Sequence, residues 1–168
     1  MEGEEVIAFK WLAKGAVAPF TGFRWPVNGS WVSAPPGATD GLGVHACRIA
    51  HLAFWVGEEL WRVELQGPIV ERETQLEGSS GRLLDRIAAW DPEAFRQACV
   101  ERIAGFHAET PSAELSDYLA LAKTVDAPIA SFVAAVAAVA ARGARSAFEE
   151  ERARQSGWLA RALQLREE

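Results

Sequence analysis

The densest run of reactive side chains in the 168-residue chain is Gly43-Val44-His45-Ala46-Cys47-Arg48-Ile49-Ala50-His51. In an extended backbone side chains repeat every second residue, so His45 and Cys47 share a side. A helix beginning at Arg48 would fold His51 back toward them. Imidazole and thiolate are zinc ligands, and a Cys–His pair is also the minimum for thiol nucleophilic catalysis. Zinc needs a third or fourth ligand, and Cys99 and His107 fall on a distant helix, so no metal site is expected. The plainer reading of the same residues is structural. Cys47 is then a buried thiol, and His51, among Leu52, Phe54 and Trp55, is a surface residue of an amphipathic helix.

A second group is Phe20-Thr21-Gly22-Phe23-Arg24-Trp25-Pro26. Arg24 flanked by aromatics before a turn can stack on, and hydrogen-bond to, a planar or anionic ligand. The competing role is a loop anchor, with the aromatics in the core and Arg24 on backbone carbonyls. A third group is Glu58, Glu59 and Glu64 around Trp61, because a carboxylate beside an indole can act as a general acid or base. Glu64 is the candidate there, although strand alternation sets it opposite Val63 and Leu65, on the solvent side. Glu71 and Glu73 alternate with Arg72 in the manner of a charged sheet face. The chain has no Walker loop, GxGxxG, HExxH, paired CxxC or nucleophile elbow, so no cofactor is implied.

These residues need elements to hold them. Val6–Leu12 reads as a strand, residues 13–41 as mostly turn with a short strand over Ser30–Ser33, and Leu42–Ala46 as a short buried strand. A helix over Ile49–Val56 should follow, then an alternating strand Glu59–Gln66. A further strand is expected over Ile69–Leu76, joined by the turn Glu77–Gly81 to a last one over Arg82–Ile87. Near residue 90 the pattern shifts to helical spacing. Asp91-Pro92-Glu93 starts a helix running to about His107. Thr110-Pro111-Ser112 starts another that ends near Thr124, and Asp126-Ala127-Pro128 a third that Gly143 breaks. The last, Ser146–Leu165, is expected to turn Phe148, Leu159 and Leu163 inward and Glu149, Glu150, Arg152 and Arg154 outward. The fold class is therefore α+β: a mainly antiparallel N-terminal sheet with one inserted helix, then about four helices, in a single domain.

Apolar residues make up 49 % and charged residues 24 % of the chain, a globular composition. The net charge of −6 is evenly spread, with 7 basic and 10 acidic groups in residues 1–84, so no phosphate-binding face is expected and no nucleic-acid partner. Two distant cysteines and an acidic N-terminus without an apolar segment favour a reduced, cytoplasmic setting. The longest apolar run, Ala127–Ala141, falls short of the ~20 residues that span a bilayer, so no membrane partner is expected. Its run of alanines suits close approach of a neighbouring helix. Seven Trp are present, five of them (Trp11, Trp25, Trp31, Trp55, Trp61) within the first 61 residues.

The order Phe23-x-Trp25-Pro26, then Gly43-Val44-His45-Ala46-Cys47, then Leu60-Trp61-x-Val63-Glu64-Leu65-x-Gly67 resembles a family common in actinobacteria. Its shorter phage and bacterial relatives carry a similar Gly-Phe-His-Ala-Cys segment. The resemblance covers roughly residues 6–90, extends to the Glu-Arg-Ala-Arg-Gln-Ser-Gly-Trp-Leu-Ala pattern near the C-terminus, and implies a bacterial source but no particular activity. More loosely, Gly-Val-His-Ala followed by a short helix and a Val-Glu-Leu strand is similar to a segment of ADP-ribosyltransferase folds. The chain departs from those enzymes in offering Lys10 where they use His or Arg, and in lacking the Ser-Thr-Ser and Glu-x-Glu signatures. The leading expectation is a soluble small-molecule-binding domain, enzyme or not, with a Trp-lined pocket. Its lining would be Arg24, Trp25, Trp55, Trp61 and His51, and its chemistry would rest with His45, Cys47 and Glu64. The alternatives are a non-enzymatic protein-interaction module, in which exposed Trp and the C-terminal helices mediate homo- or hetero-oligomerisation, and an enzyme of the ADP-ribosyltransferase kind.

Overall fold

Along the first strand Ala8, Lys10 and Leu12 alternate with Phe9 and Trp11, and both sets are largely removed from solvent. The computed structural model describes residues 5–34 and 43–167. Its strands are β1 (Glu5–Leu12), β2 (Val32–Ser33), β3 (Val44–Ala46), β4 (Glu59–Gln66), β5 (Val70–Glu71), β6 (Leu76–Gly78) and β7 (Ser80–Arg86). One antiparallel sheet has the order β1-β4-β7-β2 and a second the order β3-β6-β5. Between β3 and β4 lies a 3₁₀ helix, Ile49–Phe54. Four α-helices follow: α1 (Pro92–Glu109), α2 (Ala113–Ala122), α3 (Ala127–Arg142) and α4 (Ser146–Ala162). The class is α+β, as the periodicities imply. The chain forms two compact units, Met1–Trp90 with Leu163–Glu168, and Asp91–Ala162.

The core of the N-terminal unit lies where the inner faces of the sheets meet, with Ala8, Leu12, Ala16, Trp25, Val44, Ala46, Val63, Leu65, Leu76 and Leu83 in one cluster. A two-way backbone bridge ties β1 to the segment after β3: the Phe9 amide donates to the Cys47 carbonyl at 2.9 Å and the Cys47 amide to Phe9 at 2.7 Å. The expected start of the third strand at Leu42 lies outside the described residues.

The region after Gln66 departs from the reading of the sequence. Instead of one strand over Ile69–Leu76, the Arg72 amide donates to the Gln75 carbonyl at 2.8 Å and folds the run into a hairpin of β5 and β6. Glu77 and Gly78, expected in a turn, belong to β6. Glu77 opens the run that reads as a turn, but its carboxylate is satisfied inside by Arg72 at 2.9 Å and by the Gly43 amide at 2.8 Å. A partnered charge can be buried where a lone one cannot.

In the helical unit the starts follow their capping residues. Asp91 accepts from the Glu93 amide at 3.0 Å and the Ala94 amide at 3.1 Å; Ser112 caps α2 and Asp126 caps α3. Gly143, at φ 67°, ends α3 in the left-handed conformation that a side chain would disfavour. Helix α3 packs against α1, α2 and α4, and its buried Ala134, Ala135, Ala137 and Ala138 permit that crowding. Helix α4 stops at Ala162, before the expected Leu165. Arg152, expected to face outward, is buried and donates to the Ser131 hydroxyl at 2.6 Å, while Gln155 donates to the Ser131 carbonyl at 3.0 Å. A polar cluster in the α3–α4 seam admits an arginine that helical periodicity alone would place in solvent. Among the described residues no helix is long and apolar enough to cross a membrane.

Candidate functional site

Residues 13–25 fold into a small hairpin beside β1. Its base is the Ala13–Val17 bridge, and the Trp25 amide returns to the Ala16 carbonyl at 2.9 Å. Ala16 adopts φ 58°, a left-handed conformation that costs an alanine about 1 kcal/mol. The side chain of Glu59 holds it there, accepting from the Gly15 amide at 2.9 Å, the Ala16 amide at 3.2 Å and the Trp61 indole at 3.0 Å. Burial alone would raise the Glu59 carboxyl; the Gly15 amide, the Trp61 indole, the Ala16 amide and Arg86 together keep it below the ordinary carboxylate value. Glu58 accepts from the Lys14 amide at 2.9 Å. Glu58 and Glu59, two of the three carboxylates grouped around Trp61, therefore hold this hairpin in place.

Strand alternation in the returning arm puts Phe23 and Trp25 on one side and Arg24 on the other. Phe23 and Trp25 meet edge to face, with ring centroids 6.0 Å apart. Together with Phe20 at the tip they wall a cleft of about 790 Å³ in the N-terminal unit. Trp11 and Trp55 contribute further aromatic surface, and Lys10, His45, Cys47 and Gln75 supply polar and sulfur atoms. Trp11 is pinned by its indole to the Leu52 carbonyl at 3.0 Å, and Trp55 to the Thr74 carbonyl at 2.9 Å. Phe20 is 87 % exposed and also borders an adjoining smaller cavity of about 350 Å³.

Lys10 is the residue that sequence reasoning did not select. It comes from the core-facing set of β1, donates from Nζ to the His45 carbonyl at 2.6 Å, and lies 5.1 Å from the centre of the Trp25 ring. Part of its surface opens to the cleft while the ammonium is withdrawn from bulk solvent. That burial brings its pKa down to about 8, against a smaller opposing effect of nearby Cys47. No carboxylate among the described residues forms an ion pair with it.

The segment from Gly43 to Cys47 builds one wall of this environment. A side chain at Gly43 would run into Glu77 and would stand 2.8 Å from the Gly78 carbonyl, so glycine is required there. Val44 and Ala46 face the core, His45 is half-buried on the cleft, and its backbone oxygen receives Lys10. Cys47 is buried, and burial lifts its thiol to about 12, so the sulfur is not a thiolate at neutral pH.

The other residues singled out from sequence sort as follows. Trp25 and Trp55 line the cleft with His45 and Cys47, whereas Arg24, His51, Trp61 and Glu64 do not. Arg24 is exposed on the far side of the hairpin arm, His51 packs edge to face on Phe54 at 6.2 Å, and Trp61 bonds to Glu59. Glu64 is buried rather than solvated, because Arg82 on the neighbouring strand pairs with it at 2.6 Å. Among the described residues no three His, Cys, Asp or Glu side chains converge on one point.

No protein-family model, curated protein or solved structure matches this chain.

Proposed function

We propose that the N-terminal unit binds a small, mainly apolar molecule in the cleft beneath the 13–25 hairpin, with Lys10 as its principal polar contact. The cleft's volume falls within the range of small-molecule sites, and an aromatic wall with few polar groups is their usual character. The observation that carries the reading is Lys10. No carboxylate among the described residues pairs with its ammonium, and withdrawing such a group from water costs stability that an apolar side chain of the same length would not. Such groups gather at functional sites. The leading expectation thus keeps its ligand class, with its centre moved from Arg24 to Lys10, Trp25 and His45.

Saturation-transfer NMR with indole as the probe tests this reading. Transfer to indole is expected in the wild type and should weaken at least about tenfold in Ala18→Phe, which fills the cleft from the hairpin. Equal transfer in both proteins, or none in the wild type, would contradict it.

A further inference from the structure

Resting on that reading, we infer that the cleft captures aldehydes or ketones with an apolar body, as a reversible imine on Lys10 Nζ. Three features of the geometry converge on it. Lys10 lines a cleft walled by the aromatic residues Trp11, Phe20, Phe23, Trp25 and Trp55, which suit an aromatic or aliphatic body. Among the described residues Nζ has the neutral His45 carbonyl and the Trp25 ring as neighbours and forms no ion pair with a carboxylate. The His45 carbonyl, 2.6 Å from Nζ, fixes the amine's position and remains as an acceptor for the N–H of the product.

The reaction balances without a further reactant. The Nζ lone pair attacks the carbonyl carbon, the C=O π pair passes to oxygen, and a proton moves from nitrogen to that oxygen to give the carbinolamine. The nitrogen lone pair then forms the C=N bond as the C–O bond breaks, and the oxygen takes a second proton from solvent and leaves as water. In its protonated form the imine keeps one N–H, directed at the His45 oxygen. Hydrolysis reverses every step.

Desolvation favours the neutral, nucleophilic amine. With a pKa of about 8 against an ordinary 10.5, its neutral fraction at pH 7 is roughly 300-fold that of an ordinary lysine. A lower pKa also means a weaker nucleophile, so the selectivity read out is expected to be smaller than this ratio.

The chain's other lysines, Lys14 and Lys123, are both exposed and serve as internal controls. Benzaldehyde at pH 7 followed by borohydride reduction and peptide mass mapping should yield a benzyl adduct on Lys10 at least about tenfold above either control. The adduct should disappear in Lys10→Arg, which keeps the charge but cannot form the imine. Adducts spread evenly over the three lysines, or none at Lys10, would overturn the inference. If indole binds while Lys10 stays unlabelled, the imine falls and the cleft stands; if neither binds nor labels, both fall.

Discussion

At the scale of the residue, the proposed binding rests on Lys10. Its folded pKa of about 8 lies below the ordinary 10.5, so the unfolded chain binds the proton more tightly. Below about pH 8 the full penalty of burying the ammonium is present; from there to about pH 10.5 the unfolded state holds more protons and stability rises with pH. The shift corresponds to a gain on the order of 3 kcal/mol. Denaturant unfolding of wild type and Lys10→Met at pH 7 and pH 10 is the check: the stability difference should favour Lys10→Met at pH 7 and shrink by pH 10. Parallel stabilities across that interval would refute the desolvation account. The alternation of Val6–Leu12 already set Lys10 on one face with Ala8 and Leu12. What the one-dimensional pattern lacked was the cover: Trp25 comes from the hairpin and the His45 carbonyl from β3, 35 residues further along the chain. His45 and Cys47 stood out because their side chains are reactive in general. In place, burial keeps Cys47 a thiol, and the part of His45 that bonds Lys10 is its backbone.

At the scale of the element, the 13–25 hairpin carries the aromatic wall, and Glu59 secures its base. Glu59→Ala leaves the Gly15 and Ala16 amides and the Trp61 indole without their acceptor, and is expected to cost roughly 2–3 kcal/mol in denaturant unfolding. A loss under about 0.5 kcal/mol, the scale of an ordinary surface change, would mean that the hairpin holds without it. Elements were legible where local chemistry determines them. Asp91, Ser112, Asp126 and Gly143 mark helix ends through bonds or dihedrals within a turn. They were illegible where a distant partner decides. Glu77 reads as turn until Arg72 and the Gly43 amide neutralise it, Arg152 reads as surface until Ser131 receives it, and Glu64 reads as solvated until Arg82 arrives from β7.

At the scale of the molecule, the change in composition near residue 90 coincides with the boundary between the two units, Trp90 ending one and Asp91 opening the other. The Trp excess of the first 61 residues divides by role. Trp11, Trp25 and Trp55 wall the cleft, Trp61 bonds Glu59 within the unit, and Trp31 stacks beneath the Arg82 guanidinium at 4.8 Å. In the helical unit Trp158 packs on Phe95, with ring centroids 5.5 Å apart. Each indole N–H gives its own resonance, so this division can be read directly in an isotope-labelled sample titrated with indole. The cleft reading predicts saturable shifts at Trp11, Trp25 and Trp55, with Trp61 and Trp158 unmoved. Shifts confined to Trp61 or Trp158, or no saturable shift at the three cleft residues, would contradict it.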